Sequence, residues 1–237
     1  MTKSGFEKET LPTGKLLFLA LSRFSILLHT PVPFPFPTLN KVEAIVNQNQ
    51  NRKLLSDPIG VNGILVTADG FVIIVRRASW VGEHPNMLEP PGGHPEPSNL
   101  DARFDMNYHS TMPDISILQS ADVIGEIFKS QQEELSVELN IPIDKLTFPK
   151  LLSIGRVGSG CGRPVMYFQV SAGLNKCEIE ESWSKGGQET DEATELIFIH
   201  QSKFDTIEQS EIWPQLSPNG HLALRSFIAA KQSANLL

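Results

Sequence analysis

The chain is poor in cysteine and in positive charge. Cys161 and Cys177 are its only cysteines in 237 residues. Two cysteines are too few for a disulfide framework or a cysteine zinc site, so we expect an intracellular, reducing compartment, most simply the cytoplasm. Lys and Arg number 20 against 27 Asp and Glu, a formal net charge of −7. That balance argues against nucleic acid as the main partner, because phosphate-backbone binding draws on clustered cations.

A long apolar run is also missing. The stretch Lys15–Leu28 has a basic start and faintly resembles a signal peptide, but Arg23 interrupts it. It is too short to span a bilayer, so no membrane partner is expected. Four prolines between residues 30 and 37 remove backbone donors and predict an extended linker. A short helix is predicted from Leu39, where apolar residues recur at helical spacing.

The remaining sequence predicts an α/β fold with a mixed sheet between helices. Its clearest element is a hairpin, with strands over 60–67 and 71–77 joined by the turn Ala68-Asp69-Gly70. Residues 98–122 lack periodicity and predict a loop or insertion. The other predicted elements are a helix over about 121–139, strands over 150–157, 164–171 and 195–200, and a last helix over about 219–232.

A pair of carboxylates on the first of these helices predicts a metal site. Glu134 and Glu138 are four residues apart and therefore share one helix face. Like charges at this spacing destabilise an isolated helix, whereas Mg²⁺ favours carboxylate oxygens together with substrate phosphate. Taken alone, such a pair is more often a solvated acidic face. The run Pro90–Pro97 that precedes the helix favours the metal site.

That run predicts a stiff Gly-Gly turn. Gly92 and Gly93 allow the backbone to approach a ligand closely or to adopt positive φ, and neighbouring prolines stiffen the approach. His94 and Glu96 follow and become candidates for substrate contact. Upstream, Arg76 and Arg77 end a strand and point to opposite faces, so at most one of them faces the site.

Together the two segments resemble the signature of the Nudix family. The run Gly92–Pro97 followed by Glu134–Ile141 is similar to a divergent Nudix box, with about 25 extra residues between the halves. Glu133 stands where the family has Arg, Val137 replaces a Glu and Asn140 replaces a Gly. These departures resemble the family's atypical UDP-glucose pyrophosphatases, and that closer resemblance runs from about Asp57 to Ser226.

The resemblance implies a Nudix-type α/β/α sandwich over 57–237, preceded by an N-terminal extension over 1–56. It implies Mg²⁺-dependent hydrolysis of UDP-glucose to UMP and glucose 1-phosphate, a small-molecule substrate. Glu134 and Glu138 would be the catalytic metal ligands. The positions that match the family's substrate site are Arg77, Gly82 through its backbone, Glu89, His94, Glu96 and Asn219.

Val137 cannot ligate a metal, so a further ligand or base must come from elsewhere. Glu189 and Glu192, in an acidic loop before a predicted strand, are the candidates. Two alternatives stay open. One is a Nudix hydrolase that acts on another nucleoside diphosphate derivative, and the other is a catalytically weak module that binds nucleotide sugars. The sequence does not indicate an oligomeric state.

Overall fold

The computed structural model describes residues 59–100, 118–157, 163–187 and 189–234. These residues belong to two compact units. One unit contains residues 59–95 and the described residues from 126 to 234, and the other includes residues 96–100 and 118–125. The predicted extension over 1–56, with its linker and short helix, lies outside the described residues. The domain boundary at residue 57 therefore stays a prediction.

Within the described residues, the larger unit is built on one sheet of seven strands. The strands are β1 (Gly60–Val66), β2 (Phe71–Arg77), β3 (Leu88–Glu89), β4 (Gly92–Gly93), β5 (Lys150–Val157), β6 (Arg163–Ser171) and β7 (Ala193–His200). The helices are α1 (Ser120–Glu138), α2 (Lys176–Ser184) and α3 (Pro218–Ala234). Short 3-10 turns cover Pro97–Asn99, Ile143–Lys145, Thr190–Glu192, Gln201–Gln209 and Trp213–Gln215.

The sheet is mixed, as predicted. Strand β1 pairs in parallel with β6 along its whole length, and β6 pairs antiparallel with β5. Strand β2 pairs antiparallel with β7 over Phe71–Arg77. Parallel β1–β6 pairing requires a long crossover between the two strands. The α1 helix lies in that crossover.

The two strands of the predicted hairpin are present, but they pair with each other only next to the turn. Gly70 takes φ +85° in the turn, and Val66 pairs with Val72. Beyond that pair the two strands part, and the segment 88–93 enters between them. Strand β3 pairs with β2 at Val75 and Arg76, while β4 pairs with β1 at Val61 and Asn62. The Gly-Gly segment is therefore part of the sheet.

Side chains alternate between two buried layers, one on each face of the sheet. Ile64 and Val66 pack with the β6 residues Val165 and Tyr167, and with α3 residues including Leu224 and Phe227. Leu65 faces the opposite layer, which includes Leu135 from α1, Leu139 just after that helix and Ile179 from α2. Helices thus cover both faces, and the predicted α/β/α arrangement is confirmed.

One expectation was wrong, and one helix was missed. Gly92 and Gly93 form a strand rather than a turn, because their backbone pairs with β1. Helix α2 was not predicted, since Ile179 is its only buried residue and no apolar stripe marks it. Its start is set by a capping box, in which the Asn175 side chain accepts from Glu178 N–H and the Glu178 carboxylate accepts from Asn175 N–H. Among the described residues, no helix is long and apolar enough to cross a membrane.

Candidate active site

The site is built on β4, where both glycines are required by close approach. A Cβ on Gly92 would collide with the carbonyl oxygen of Val61 and lie 2.8 Å from Asn62 Cα. A Cβ on Gly93 would collide with the carboxylate of Glu134. Neither glycine is among the described residues with positive φ. The structure therefore shows close approach of these glycines to β1 and to Glu134, whereas their predicted approach to a ligand stays a prediction.

Two backbone N–H groups, that of Gly92 and that of the residue after Gly93, hold the two carboxylates predicted to bind metal. Gly92 N–H donates to Glu138 Oε2 (3.1 Å), and His94 N–H donates to Glu134 Oε1 (3.2 Å). Two residues span about 6.8 Å of extended chain, and four residues span about 6 Å of helix. The spacing of the Gly92 and His94 amides therefore matches the spacing of two carboxylates one helical turn apart. This match brings the two halves of the sequence signature together.

The electrostatics of the pair favour a cation. Burial raises the pKa of Glu138 well above its usual range, and the nearby charge of Glu134 raises it further. The Arg77 charge and the Gly92 amide oppose this rise without cancelling it. Two carboxylates that resist being ionised together are stabilised by a divalent cation, and oxygen donors suit Mg²⁺. The residues present fit a divalent metal. In the described part of the chain, however, no cluster of three or more His, Cys, Asp or Glu side chains is preassembled for one.

The two adjacent arginines have separate roles, as predicted. Arg76 pairs with Glu195 (Nε–Oε2 2.8 Å) and donates to Gln215 Oε1 and the Asn86 carbonyl, so it ties strands and loops together. Arg77 donates through Nε to the Glu83 carbonyl (2.9 Å), and its charge acts on both Glu89 and Glu138. Arg77 is therefore the arginine of the site.

Glu89 is another buried carboxylate, and the charge of Arg77 acts on it as it does on Glu138. Burial pushes its pKa upward, but the His84 side chain, the Arg77 charge and the Asn219 amide together outweigh burial and hold the pKa below its usual value. Asn219, at the start of α3, also accepts from the Tyr167 hydroxyl (3.2 Å). His84 Nδ1 lies 3.6 Å from Glu89 Oε2. His84 was missed from the sequence, where a lone histidine in a loop carries no signal.

The structure says less about the predicted substrate contacts of Gly82, His94 and Glu96. Gly82 lies in the loop between β2 and β3, and a Cβ added to it would meet nothing within 4 Å. The structure shows a backbone role for His94, whereas its contact with substrate stays a prediction. Glu96 belongs to the other compact unit, and its predicted contact is likewise untested.

The acidic loop joins the site through Glu192. Ala78 N–H donates to the Glu192 carbonyl (2.8 Å), at the point where Arg77 pairs with Ala193. The Glu192 charge is one of those that raise the pKa of Glu138. Glu189 is half-buried, and burial together with Glu192 and Asp191 raises its pKa. Of the two candidates, Glu192 is therefore the one whose charge acts on Glu138.

Comparison with known proteins identifies relatives of the chain. It is 34% identical over 170 residues to the uridine diphosphate glucose pyrophosphatase NUDT22 of Mus musculus, covering 72% of this chain and 53% of the relative. The human protein of that name is 32% identical, with 72% of this chain and 54% of the relative covered. Nudix hydrolase 9 of Arabidopsis thaliana is 29% identical over 143 residues, 60% of this chain and 44% of the relative. The 170 residues of the chain that match these pyrophosphatases belong to the Nudix family.

The chain spans about half the length of the curated relatives it matches. No family model matches it. Among solved structures, the MutT protein of Methanosarcina mazei Go1 has 13% identity and a TM-score of 0.45, covering 73% of this chain and 94% of that chain. A Nudix hydrolase of Nitrosomonas europaea has 13% identity and a TM-score of 0.43, covering 73% of this chain and 90% of that chain.

The departures from the Nudix box have visible structural outcomes. Glu133, at the usual Arg position, pairs with Lys129 one turn earlier on α1 (2.6 Å). Asn140, at the usual Gly position, keeps the left-handed backbone with φ +52°. Asn tolerates that conformation better than most residues with a side chain. The Asn140 side chain adds a new link, because Nδ2 donates to the Ser182 carbonyl of α2 (2.7 Å).

Proposed function

We propose that this protein hydrolyses UDP-glucose, or a closely related UDP-sugar, to UMP and glucose 1-phosphate, using Mg²⁺ held by Glu134 and Glu138. The observation that carries the proposal is the pair of carboxylates fixed by the Gly92 and His94 amides, with Glu138 buried beside Glu134. The substrate class comes from the 34% identical relative, which is named a uridine diphosphate glucose pyrophosphatase. Such a substrate is anionic, which suits a site that combines Arg77 with a bound cation.

In the proposed reaction, water adds to one phosphorus atom and the bridging phosphorus–oxygen bond breaks. The bridging oxygen leaves with the other phosphate, and the proton of the water passes to a base. When bound, a divalent cation would offset the diphosphate charge and polarise its phosphorus–oxygen bonds. Arg77 would bind phosphate oxygens, and fixed charges of this kind act mainly by positioning and by stabilising developing charge.

We assign Glu192 as the additional carboxylate that the valine at position 137 makes necessary. Its backbone is bound to the end of β2, and its charge acts on Glu138. Glu192 would serve as a further metal ligand or as the base that accepts the proton of the water. Glu189 is the weaker candidate, because its charge is not among those that act on Glu138.

The test is turnover of a panel of nucleotide sugars and other nucleoside diphosphate derivatives with Mg²⁺, following release of UMP or its counterpart. We expect UDP-glucose to be cleaved and Glu134→Gln to lower kcat by at least about 100-fold while the protein stays folded. Glu133→Gln is the matched control, since it makes the same change one residue away on a side chain paired with Lys129. It is expected to leave kcat unchanged.

Two outcomes would redirect the proposal. Cleavage of a different diphosphate in preference to UDP-sugars would keep the metal assignment and replace the substrate. Ligand binding without metal dependence and without turnover would favour the binding module instead. Full activity in Glu134→Gln would remove the metal assignment itself.

A further inference from the structure

The start of α3 is fixed against β3 by backbone contacts. The Ser217 N–H donates to the Leu88 carbonyl (2.9 Å), and the Ser217 side chain caps the helix by accepting from the Gly220 N–H (2.9 Å). A Cβ on Gly220 would lie 2.9 Å from the Leu88 carbonyl oxygen, so a larger residue there would push the helix away from the strand. These contacts bring Asn219, in the first turn of α3, to the end of β3 that carries Glu89.

Asn219 lies between two buried partners, one for each end of its amide. The Tyr167 hydroxyl donates to Asn219 Oδ1 (3.2 Å). A hydrogen bond from the Asn219 side chain is among the causes that lower the pKa of Glu89. An ionised carboxylate only accepts hydrogen bonds, so the amide nitrogen of Asn219 is the atom that faces Glu89. The three residues are deeply buried, with exposures of 0% for Tyr167 and 6% for both Asn219 and Glu89.

The two hydrogen bonds run in one direction, from the Tyr167 hydroxyl through the amide to the Glu89 carboxylate. An amide whose oxygen accepts a hydrogen bond becomes a better donor through its N–H, so the first bond strengthens the second. A buried amide oxygen that loses its donor is unfavourable, and the side chain is then drawn toward another partner. The Tyr167 hydroxyl therefore stabilises the orientation in which Asn219 meets Glu89.

The Tyr167 ring is itself held tightly. Tyr167 lies on β6, opposite Asn62 of β1, and its side chain belongs to the buried layer between the sheet and α3. A Cβ on Gly155 of β5 would lie 2.9 Å from Tyr167 Cε2, so the ring packs directly on the backbone of the neighbouring strand. A ring packed in this way has little freedom to move, and it presents its hydroxyl to Asn219 at a fixed point.

We propose that Tyr167 is a positioning residue of the substrate site, which acts through Asn219 to hold the Asn219 amide and the Glu89 carboxylate in the arrangement that meets the substrate. This inference rests on the proposed function, because Glu89 and Asn219 are predicted substrate contacts. Tyr167 needs no contact of its own with the substrate. It lies outside both halves of the sequence signature, and no motif marks it.

The first test compares wild type with Tyr167→Phe, which removes only the hydroxyl, in UDP-glucose hydrolysis with Mg²⁺. Loss of a neutral hydrogen bond corresponds to about a 3- to 10-fold weaker interaction. We expect KM to rise by about this factor, while kcat changes by less than about twofold.

The matched control is Ser226→Ala. The hydroxyls of Ser226 on α3 and Ser153 on β5 are hydrogen-bonded (2.6 Å), so this variant also removes a hydroxyl from the packing of α3 on the sheet. It should leave KM unchanged. An unchanged KM in folded Tyr167→Phe, or an equal rise in Ser226→Ala, would overturn the positioning role.

The second test is a double-mutant cycle. Asn219→Ala should raise KM by at least as much as Tyr167→Phe. If Tyr167 acts through Asn219, adding Tyr167→Phe to Asn219→Ala raises KM further by less than about 1.5-fold. Independent, multiplying effects in folded variants would show that Tyr167 acts by another route and would overturn the inference.

A measurement without substrate separates this inference from the proposed function. In a ¹H–¹⁵N spectrum of the full chain, the side-chain amide signals of Asn219 are identified by their loss in Asn219→Ala. We expect Tyr167→Phe to shift these signals and Ser226→Ala to leave them in place. Unchanged Asn219 signals in folded Tyr167→Phe would overturn the inference whichever substrate is hydrolysed. If the signals shift but UDP-glucose is not cleaved, the proposed function fails and the hold of Tyr167 on Asn219 stands.

Discussion

Gly92 and Gly93 are adjacent, but the atoms that exclude a side chain differ in kind. At Gly92 they belong to the backbone of β1, which cannot move without breaking the sheet. At Gly93 they belong to the end of the Glu134 side chain, which can be displaced by rotation at the cost of its hydrogen bond from the His94 N–H. A side chain at position 92 would therefore disturb the fold, whereas a side chain at position 93 would displace the Glu134 carboxylate.

We predict that Gly93→Ala folds but binds metal weakly. The new methyl group displaces the Glu134 carboxylate, and loss of a residue that orients a ligand typically weakens metal binding by about 10- to 100-fold. Titration with Mn²⁺, followed by the electron paramagnetic resonance of the free ion, measures the change. Gly173→Ala serves as the control, because its Cβ would meet only the Lys145 carbonyl at 3.7 Å. Wild-type affinity in Gly93→Ala would contradict the assigned role.

At the scale of elements, Asn140 fastens the end of α1 to α2. Its Nδ2 donates to the Ser182 carbonyl, and its own carbonyl accepts from the Ser182 hydroxyl. Gly187 packs against the same side chain, with 3.2 Å between a hypothetical Cβ and Asn140 Cβ. The acidic loop that carries Glu189 and Glu192 follows directly. One residue thus links α1, which carries Glu134 and Glu138, to α2 and to the loop that carries Glu189 and Glu192.

Two substitutions at Asn140 separate its backbone role from its side-chain role. Asn140→Ala loses the hydrogen bond to Ser182 and also leaves a poorly tolerated φ, so we expect about 1–3 kcal/mol less stability. Asn140→Gly loses the same bond but fits the left-handed backbone, so we expect a loss of about 0–1 kcal/mol. Urea unfolding measures both. Equal stability in the two variants would show that the backbone conformation contributes little.

The sequence predicts most elements and only part of the site. Periodicity locates α1 and the longer strands, and helical spacing alone places Glu134 and Glu138 on one face. The sequence does not predict strand β4, because two glycines show no apolar alternation. Its pairing with Val61 and Asn62 is a long-range contact. The sequence also does not mark His84 as a neighbour of Glu89, because its orientation depends on the loop backbone, in which His84 takes positive φ. Such contacts are set by tertiary structure, which a local pattern does not encode.

At the scale of the whole molecule, proton binding and metal binding at Glu138 both affect folding. Its pKa is raised in the folded, metal-free protein, chiefly by burial and then by Glu134. The folded chain therefore keeps a proton that the unfolded chain releases as the pH rises above the ordinary Glu range. The metal-free protein consequently loses stability as pH rises through that window, up to the raised pKa.

We predict that Mg²⁺ stabilises the protein more at pH 8 than at pH 5. A ligand at 100 times its Kd adds about 2.7 kcal/mol, which corresponds to a rise in Tm of about 5–10 °C for a chain of this size. At pH 5 protons compete for Glu138 and the rise should be smaller. Thermal melts in EDTA and in Mg²⁺ measure the difference. Glu138→Gln should flatten the pH dependence, and the same Mg²⁺ shift in that variant would contradict the linkage.

The pairing of β4 with β1 also bears on how this site tolerates change in chain length. Glu134 and Glu138 are held by amides of a strand that the sheet itself fixes, so the number of residues joining β4 to α1 does not set their position. An insertion or deletion in the stretch between the two halves of the signature therefore leaves the two amides, and the carboxylates that they hold, in place.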